Sequence, residues 1–484
     1  MSKNKSTPES SAFAIEQNGI NVISEAERKG HPRSLFWPWF AANIAVLSVA
    51  YGDWILGYGI SFWQATLAAV IGTVVSFLLV GFVSLAGKRG SAPTMILSRA
   101  AFGVRGNIFP AIISWILLVG WETVLVVLST LATATVFHQL GWASGNMTKI
   151  LAFIVVIVII VGTGILGLNA IMKVQMWLTI VLGVVTIGYF ILSAPKIDFS
   201  MVSQVKSGSW EAVAGSSIMV ATALGLSWIN SAADYSRYLP KKASSKGVVG
   251  WTTFGGAIAP LVLIIFGLLL VASQKGGASS TFATAISADP IGALASILPT
   301  WYLIPFILVA VGSLISGAVM DIYSSGLTLL AIGLPIKRWV GTCIDGVIMF
   351  FGTIAIVWFS SNFVGPFEAF LGLIGVPISA WAGIFLGDLL LRRKDYDEKA
   401  LFDAKGRYGA VNSLALTSMI VLTAIGWGLT APTVSWLGFE GFLFKPLHID
   451  ASLWGASGLG VFIALVLGFF VPFLNRKRIK EQER

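Results

Sequence analysis

The amino-acid sequence predicts an all-α membrane protein with about 12 transmembrane helices. Of its 484 residues, 56% are hydrophobic and only 11% are charged, which is typical of a chain that crosses the bilayer many times. Apolar runs near the ~20 residues that a helix needs to cross the hydrocarbon core recur along most of the sequence. These runs occupy residues 36–57, 61–86, 106–137, 149–168, 174–194, 211–233, 247–273, 302–333, 338–359, 366–391, 409–430 and 453–474.

The basic residues predict the orientation of these spans. Cytoplasmic loops are enriched in Lys and Arg, and if the N-terminus is cytoplasmic, 27 of the 32 basic residues fall on that side. We therefore expect a multi-pass protein of the plasma membrane with both termini in the cytoplasm. The basic residues that give the net charge of +10 are then expected to contact the anionic lipid surface, and not nucleic acid.

Several classes of function are excluded by what the sequence lacks. A single cysteine, Cys343, rules out an intrachain disulfide, and three scattered histidines argue against a metal site. We find no phosphate loop and no dinucleotide-binding unit, so we expect neither an enzyme nor an ATP-driven pump, and no cofactor. Residues 1–35 have no apolar core or cleavage site, which predicts a polar cytoplasmic tail instead of a signal peptide.

The first span, WFAANIAVLSVAYGDWILGYG, carries polar and small residues that favour local unwinding. Asn43 and Ser48 interrupt an otherwise apolar helix there. Backbone carbonyls that are freed at mid-membrane persist only where they line a cavity, and they could coordinate a cation. The alternative is close packing of small residues against a neighbouring helix.

The third span places Trp121 and Glu122 near its middle. An ionised Glu122 at that depth would be costly, so it must be paired, protonated or bound to a cation. It either takes part in transport and coupling or makes a structural hydrogen bond. Consecutive residues point about 100° apart, so these two are not expected to contact the same ligand atom.

The sixth span, ATALGLSWINSAADYSRYLP, loosens at Gly225 and carries Ser227, Trp228 and Asn230 at membrane depth. We interpret it as one wall of a substrate site, because buried polar groups in a span face a bundle interior or a cavity. Asp234 and Arg237, where this span ends, are expected to form an ion pair.

The eighth span has the highest density of polar residues, and Asp321 is expected to face a cavity. Ser316 precedes Asp321 by more than one helical turn, so its hydroxyl can serve a different ligand. Asp345 and Glu368 lie nearer span ends and are interpreted as structural. The loop Lys88–Asn107 is either a lipid-surface helix or a basic connector.

These residues resemble the nucleobase–cation symport family, which comprises the purine–cytosine and hydantoin permeases. The resemblance extends from about residue 37 to the end of the tenth span. Its motifs are a loose match to W-F-x-A-N between Trp37 and Asn43, SRAAFGVRGN (Ser98–Asn107), Gly120-Trp121, W-x-x-x-A-A-D-Y-x-R-Y-L-P (Trp228–Pro240) and D-I-Y-S-x-G-L (Asp321–Leu327). The motif that ends at Pro240 is the most specific.

The resemblance implies a LeuT-type architecture with two inverted repeats of five helices and broken helices at matching positions. The repeats would be residues 36–194 and 195–391. A charged cytoplasmic linker (392–408), two additional peripheral helices (409–475) and a basic cytoplasmic tail (476–484) would follow.

The resemblance also implies a binding site. A planar base would lie between Trp121 and Trp228, and its edge would be recognised by Asp321 with Asn230 or Ser227. The site would be completed by Gly225, Asn43 and Ser48. A coupling Na⁺ would lie between the first and eighth spans, and its candidate ligands are Ala45, Ser48, Gly312, Ser313 and Ser316. Glu122 and Asp321 are candidates for proton coupling.

Two positions depart from the family pattern. Asp321 stands where an amide is usual, and an ionised carboxylate only accepts hydrogen bonds. Leu125 stands one turn after Trp121, where relatives often have Asn or Gln, and it cannot form a hydrogen bond. The first departure favours a substrate rich in N–H donors, or a carboxylate that takes the coupling proton.

The sequence therefore predicts a secondary active transporter that imports a nucleobase (cytosine or a purine) or a related pyrimidine, by Na⁺ or H⁺ symport with alternating access. One alternative is another planar heterocycle, such as a hydantoin, allantoin or a vitamin pyrimidine. The others are a non-transporting receptor or channel on the same scaffold, and an intramembrane enzyme.

Overall fold

The computed structural model describes residues 14–360 and 364–484, with the side chains of 364–368 left out. The first 13 residues of the predicted tail and the Glu368 side chain thus lie outside the described residues. The described chain is helical throughout and contains no β-strand. The predicted all-α fold is confirmed.

The long helices follow the predicted order of spans. Eight of the described helices are individually long and apolar enough to cross a bilayer. These eight are the second span (Phe62–Gly90), third (Ile108–Gln139), fourth (Asn146–Leu166), fifth (Leu168–Ser193), seventh (Ser245–Ala272), eighth (Leu303–Ile332), ninth (Arg338–Phe359) and tenth (Val364–Leu391). At the positions predicted for the eleventh and twelfth spans lie two shorter apolar helices of 16 residues each, Ser413–Gly428 and Leu459–Leu474.

Short helices fill the connections between the spans. Near the N-terminus and between the second and third spans they are Glu25–Glu27, Pro32–Leu35, Thr94–Leu97 and Arg99–Phe102. The remainder are Ala194–Lys196, Phe199–Val202, Ala232–Tyr235, Gly277–Ser279, Thr281–Ala288, Pro290–Ser296, Thr300–Tyr302, Ser435–Leu437, Ala451–Ala456 and Arg476–Gln482.

The first span is broken, as its polar residues predict. It consists of the helices Phe36–Asn43 and Leu47–Leu56, and the chain bends by 69° between them. Ile44 leaves the helical region of backbone angles (φ −82°, ψ 47°). The Asn43 side chain stabilises the end of the first half by donating a hydrogen bond to the Trp39 carbonyl (2.8 Å).

The sixth span is broken at Leu224, where φ is −104° and ψ is −99°. Its halves are Trp210–Ala223 and Gly225–Trp228. The Gly225 backbone lies directly against the second span, and its N–H donates to the Ser76 hydroxyl (3.2 Å). Only glycine allows this approach, because a Cβ atom at position 225 would overlap the Ser76 backbone.

The spans pack in two groups. The first, second, sixth and seventh spans pack on one another and are called the bundle below. The third, fourth, eighth and ninth spans pack on one another and are called the scaffold. The eleventh and twelfth spans pack against the tenth, in the peripheral position that was expected of them.

The connection between the second and third spans is buried inside the protein. Arg99 donates hydrogen bonds to the carbonyls of Leu401 and Ala331 (both 3.1 Å), and its side chain is largely shielded from solvent. Of the two interpretations of this loop, the lipid-surface helix is wrong. The end of the molecule that holds this loop and residues 14–30 is called the N-terminal face below.

Candidate functional site

The sixth span after its break presents aromatic rings toward the first span. Trp228 is half-buried and lies edge-to-face with Trp39, with ring centroids 5.8 Å apart. Trp39 in turn contacts Tyr235 at 5.5 Å. Trp39 is fully buried and supports Trp228 from the side of the first span. The sequence analysis missed this role, although Trp39 lies within the W-F-x-A-N motif.

Trp121 belongs to the scaffold, on the third span, and is half-buried at mid-span. The preceding residue, Gly120, lies against the ring of Phe370 on the tenth span, where a Cβ atom would overlap the ring. On the following turn, Leu125 contacts Gly317 of the eighth span. The third span at this level is therefore held between the eighth and tenth spans.

Hydrogen bonds link the exit of the sixth span to the scaffold. Asn230 is fully buried and donates to the Ser114 hydroxyl of the third span (2.8 Å). Tyr235 donates to the Met320 carbonyl of the eighth span (2.6 Å) and also contacts the Ser324 hydroxyl (2.9 Å). Trp228 of the bundle and Asp321 of the scaffold thus lie beside the points where the two groups meet.

The polar groups predicted to recognise a ligand edge differ in their availability. The Ser227 hydroxyl donates to the Leu224 carbonyl at the break (2.6 Å), which also accepts from the Ser227 backbone N–H (3.2 Å). The Asn230 side-chain oxygen is buried and has no hydrogen-bond partner among the described residues. Asp321 is buried on the eighth span. Gly225 is committed to packing on the second span, and Asn43 to capping its own helix.

Glu122 lies in a group of buried carboxyls within the scaffold. Its side chain is fully buried, and among the described residues neither of its oxygens has a hydrogen-bond partner within 3.5 Å; the nearby Ser325 hydroxyl is bound to Asp345 instead. Asp345 of the ninth span accepts hydrogen bonds from the Trp115 indole and the Ser325 hydroxyl (both 2.8 Å). Asp345 is thereby structurally satisfied, as expected, whereas Glu122 is not.

The residues predicted to bind a cation lie on both sides of the contact between the first and eighth spans. Ala45 lies in the unwound stretch, and Ser48 is buried at the start of the second half-helix. On the eighth span, Gly312 is half-buried, and the Ser313 hydroxyl donates to the Ala310 carbonyl of its own helix (3.1 Å).

Ser316 has a partner that the sequence analysis missed. Its hydroxyl donates to the side-chain oxygen of Gln175 (2.5 Å), and the Gln175 side-chain nitrogen donates back to the Ser316 carbonyl (2.9 Å). Gln175 is fully buried on the fifth span. The signal in the sequence was an amide inside a mostly apolar run.

The ion pair expected between Asp234 and Arg237 is wrong. Asp234 is buried and accepts hydrogen bonds from both the backbone N–H and the hydroxyl of Thr94 (2.7 and 2.8 Å). Arg237 instead forms a salt bridge with Glu16 (2.8 Å). The buried connection between the second and third spans supplies the partner of Asp234, and the N-terminal segment supplies the partner of Arg237.

Comparison with known proteins places this architecture among transporters. Residues 22–445 match the family described as permeases for cytosine/purines, uracil, thiamine and allantoin. YxlA of Bacillus subtilis (strain 168), named as a purine-cytosine permease, is 25% identical over 487 residues, covering 97% of each chain. The hydantoin permease of Microbacterium maritypicum is 23% identical, covering 94% of this chain and 93% of its own.

A solved structure shares the fold. Mhp1, a nucleobase-cation-symport-1 family transporter in a closed conformation with bromovinylhydantoin bound, aligns with a TM-score of 0.68 and 18% sequence identity. The alignment covers 96% of each chain. At this identity the likeness establishes the arrangement of the helices, and the ligand named for Mhp1 belongs to Mhp1.

Proposed function

The chain belongs to the nucleobase–cation symport family of permeases, and from that premise we propose that it imports a nucleobase or a related pyrimidine by Na⁺ or H⁺ symport. As a member of that family it is a multi-pass membrane transporter and not an enzyme. The proposed substrates are cytosine or a purine. The transporter would lie in the plasma membrane with the N-terminal face in the cytoplasm, where the basic residues accumulate.

The observation that supports this proposal is that the two indoles belong to different groups of helices. Trp228 comes from the bundle and Trp121 from the scaffold, so a ligand between them would contact both groups of helices. A flat, uncharged ring suits such a site, since each of its faces gains dispersion contacts on an indole with little loss of solvation. Transport by rocking of one group against the other requires a substrate site at their interface.

The edge of the base would be selected by acceptors. An ionised Asp321 offers only acceptor oxygens, and the Asn230 side-chain oxygen is a second buried acceptor without a partner among the described residues. A ring that presents amine or imide N–H groups would satisfy both. An analogue without those N–H groups would leave buried oxygens unpaired, which is costly.

The Ser316–Gln175 pair favours a sodium site. Because the Ser316 hydroxyl gives its hydrogen to Gln175, the lone pairs of its oxygen remain free to coordinate a cation. We infer that Gln175 orients Ser316 as a ligand together with carbonyls near Ala45. Glu122 and Asp321 remain the candidates if the coupling ion is a proton.

The test is uptake of labelled cytosine, adenine, uracil, hydantoin, allantoin and thiamine into proteoliposomes, with an imposed gradient of Na⁺ or of H⁺. Trp228→Ala and Asp321→Ala are expected to abolish uptake. Trp177→Ala, at an exposed position on the fifth span, is the matched control and should leave uptake unchanged. Normal uptake by both site variants would overturn the assignment of the site.

Two further measurements separate the alternatives. Gln175→Leu should weaken Na⁺ dependence while leaving H⁺-driven uptake unaffected if Ser316 binds sodium. Electrical recording at high substrate concentration distinguishes a channel, whose currents do not saturate, from a transporter. A bound but untransported ligand in the same panel would favour a receptor.

A further inference from the structure

The N-terminal segment, residues 14–30, lies across the N-terminal face and is anchored in the protein. Ile23 is fully buried, and its backbone N–H donates to the Ser91 carbonyl at the end of the second span (2.9 Å). The Gly30 N–H donates to the Tyr238 carbonyl (3.2 Å). A segment held by buried side chains and backbone hydrogen bonds is part of the fold, unlike a typical polar terminus.

Glu16 connects this segment to the bundle. One of its carboxylate oxygens accepts hydrogen bonds from the Arg237 guanidinium (2.8 Å) and the Tyr238 hydroxyl (2.6 Å), both just beyond the sixth span. Arg237 also donates to the Gly19 carbonyl (2.5 Å). The guanidinium is fully buried, so these acceptors compensate a charge that has no access to water.

Glu16 connects the same segment to the scaffold. The oxygen that binds Arg237 also accepts from the Tyr323 hydroxyl of the eighth span (3.2 Å). The other oxygen lies 3.7 Å from the Arg338 guanidinium at the start of the ninth span. The Glu16 backbone N–H donates to the Leu166 carbonyl at the end of the fourth span (2.9 Å). Glu16 thus connects three scaffold elements to the exit of the sixth span, two of them through its carboxylate and one through its backbone N–H.

Two buried arginines depend on Glu16 for a negatively charged partner. Arg237 and Arg338 both lie near the ring of Tyr323, with their guanidinium carbons 5.9 and 5.4 Å from its centroid. Without Glu16, two buried guanidiniums close to the same ring would lose the only carboxylate that contacts both of them among the described residues. Removing one partner from a buried ion pair is strongly destabilising to the arrangement that buries it.

We propose that residues 16–30 form a latch that keeps the N-terminal face closed. For this face to open, the contacts of the Glu16 carboxylate with the sixth, eighth and ninth spans must break. The inference rests on the proposed function, because alternating access requires the bundle and the scaffold to separate on this face. The contacts of Glu16 to both groups cannot persist through that separation. Once the face opens, water compensates Arg237 and Arg338 in place of Glu16.

A second anchor keeps the latch near its site after release. Arg28 forms a salt bridge with Glu398 of the linker (3.1 Å), which also binds Lys241 (2.9 Å). This anchor joins the segment to residues beyond the tenth span and to the exit of the sixth, and does not involve the scaffold. The latch can therefore release at Glu16 while it stays attached at Arg28.

The test measures opening of the N-terminal face without any substrate. A reporter cysteine is introduced as Ser324→Cys in a Cys343→Ser background, because Ser324 is fully buried at the contact with Tyr235. The rate of its modification by a water-soluble maleimide is measured in purified protein. Glu16→Gln and Glu16→Ala are expected to raise that rate by at least about tenfold, since the closed state loses a buried ion pair.

Glu25→Gln, an exposed carboxylate in the same segment, is the matched control and should leave the rate unchanged. Glu16→Asp, which keeps the charge on a shorter side chain, should give an intermediate rate. It keeps the test decisive if Glu16→Gln and Glu16→Ala fail to fold. An unchanged rate in all Glu16 variants would overturn the latch, and so would an equal increase in the control. Because labelling needs no transported substrate, its outcome is independent of the uptake experiments.

Discussion

The break in the sixth span depends on a glycine that has no room for a side chain. In Gly225→Ala, the added Cβ atom would meet the Ser76 backbone and lie 2.6 Å from both the Phe77 nitrogen and the Ser76 hydroxyl oxygen. Contacts below 3 Å with backbone cannot be relieved by rotating a side chain. The second span must move away or the break in the sixth span must change shape.

The expected loss in the free energy of unfolding has two contributions. Inserting a methyl group into a packed site costs about 1–3 kcal/mol, and the hydrogen bond from Gly225 to Ser76 contributes about 0.5–1.5 kcal/mol that would be lost or weakened. We expect Gly225→Ala to destabilise the folded protein by roughly 1.5–4.5 kcal/mol in total. Trp228, three residues further along, should lose its alignment with Trp39, so substrate uptake should fall as well.

The assay is thermal unfolding of purified protein in detergent, with uptake measured in parallel. Gly183→Ala on the fifth span is the matched control, because nothing lies within 4 Å of a Cβ atom there. Alanine is the better helix former by about 1 kcal/mol, so the control should be as stable as the wild type or more so. If both variants unfold at the same temperature, the close approach at Gly225 is not what shapes the sixth span.

Three other predictions concern charged residues. Glu122→Gln, which keeps the shape but removes the charge, should fold with unchanged or higher thermal stability and should lose H⁺-driven uptake if Glu122 carries the proton; an imposed pH gradient checks this. Arg99→Ala should lower the unfolding temperature by several degrees, because it leaves two buried carbonyls unpaired, while Arg105→Ala, at an exposed position, should not. Although burial acts to raise it, hydrogen bonds and charges from Lys241 and Arg28 hold the pKa of Glu398 below its usual 4.5. The stability that this carboxylate contributes is present above pH 4.5 and is lost as the pH falls through its lowered pKa, so Glu398→Gln should differ least from the wild type in acid.

Local features of the fold were predictable because local residues cause them. Each span is a run of apolar residues, and the breaks follow Asn43 and precede Gly225, where a capping amide and a glycine interrupt helical propensity. The candidates Trp121, Trp228 and Asp321 were found because polar and aromatic groups at mid-span require an explanation. The structure places them in the third, sixth and eighth spans, as the apolar runs indicated, and their role in binding stays a prediction.

Pairings between distant residues were not predictable from one sequence. Gln175 meets Ser316 across 141 residues and Glu16 meets Arg237 across 221. Each of these side chains has several chemically acceptable partners, so local pattern cannot choose among them. Arg237 is an example. The nearest carboxylate along the chain, Asp234, was predicted as its partner, but Asp234 is bound to Thr94 instead.

The bend in the first span has an electrostatic consequence that mutagenesis would overlook. The carboxyl end of Phe36–Asn43 and the amino end of Leu47–Leu56 meet inside the protein, and helix ends carry partial charges of opposite sign. The span can thus offer both a negative and a positive pole from its main chain alone. Replacing Ser48 or Asn43 by alanine would leave those poles in place. Unchanged transport in such alanine variants would therefore not show that the first span makes no contact with an ion or a dipolar ring.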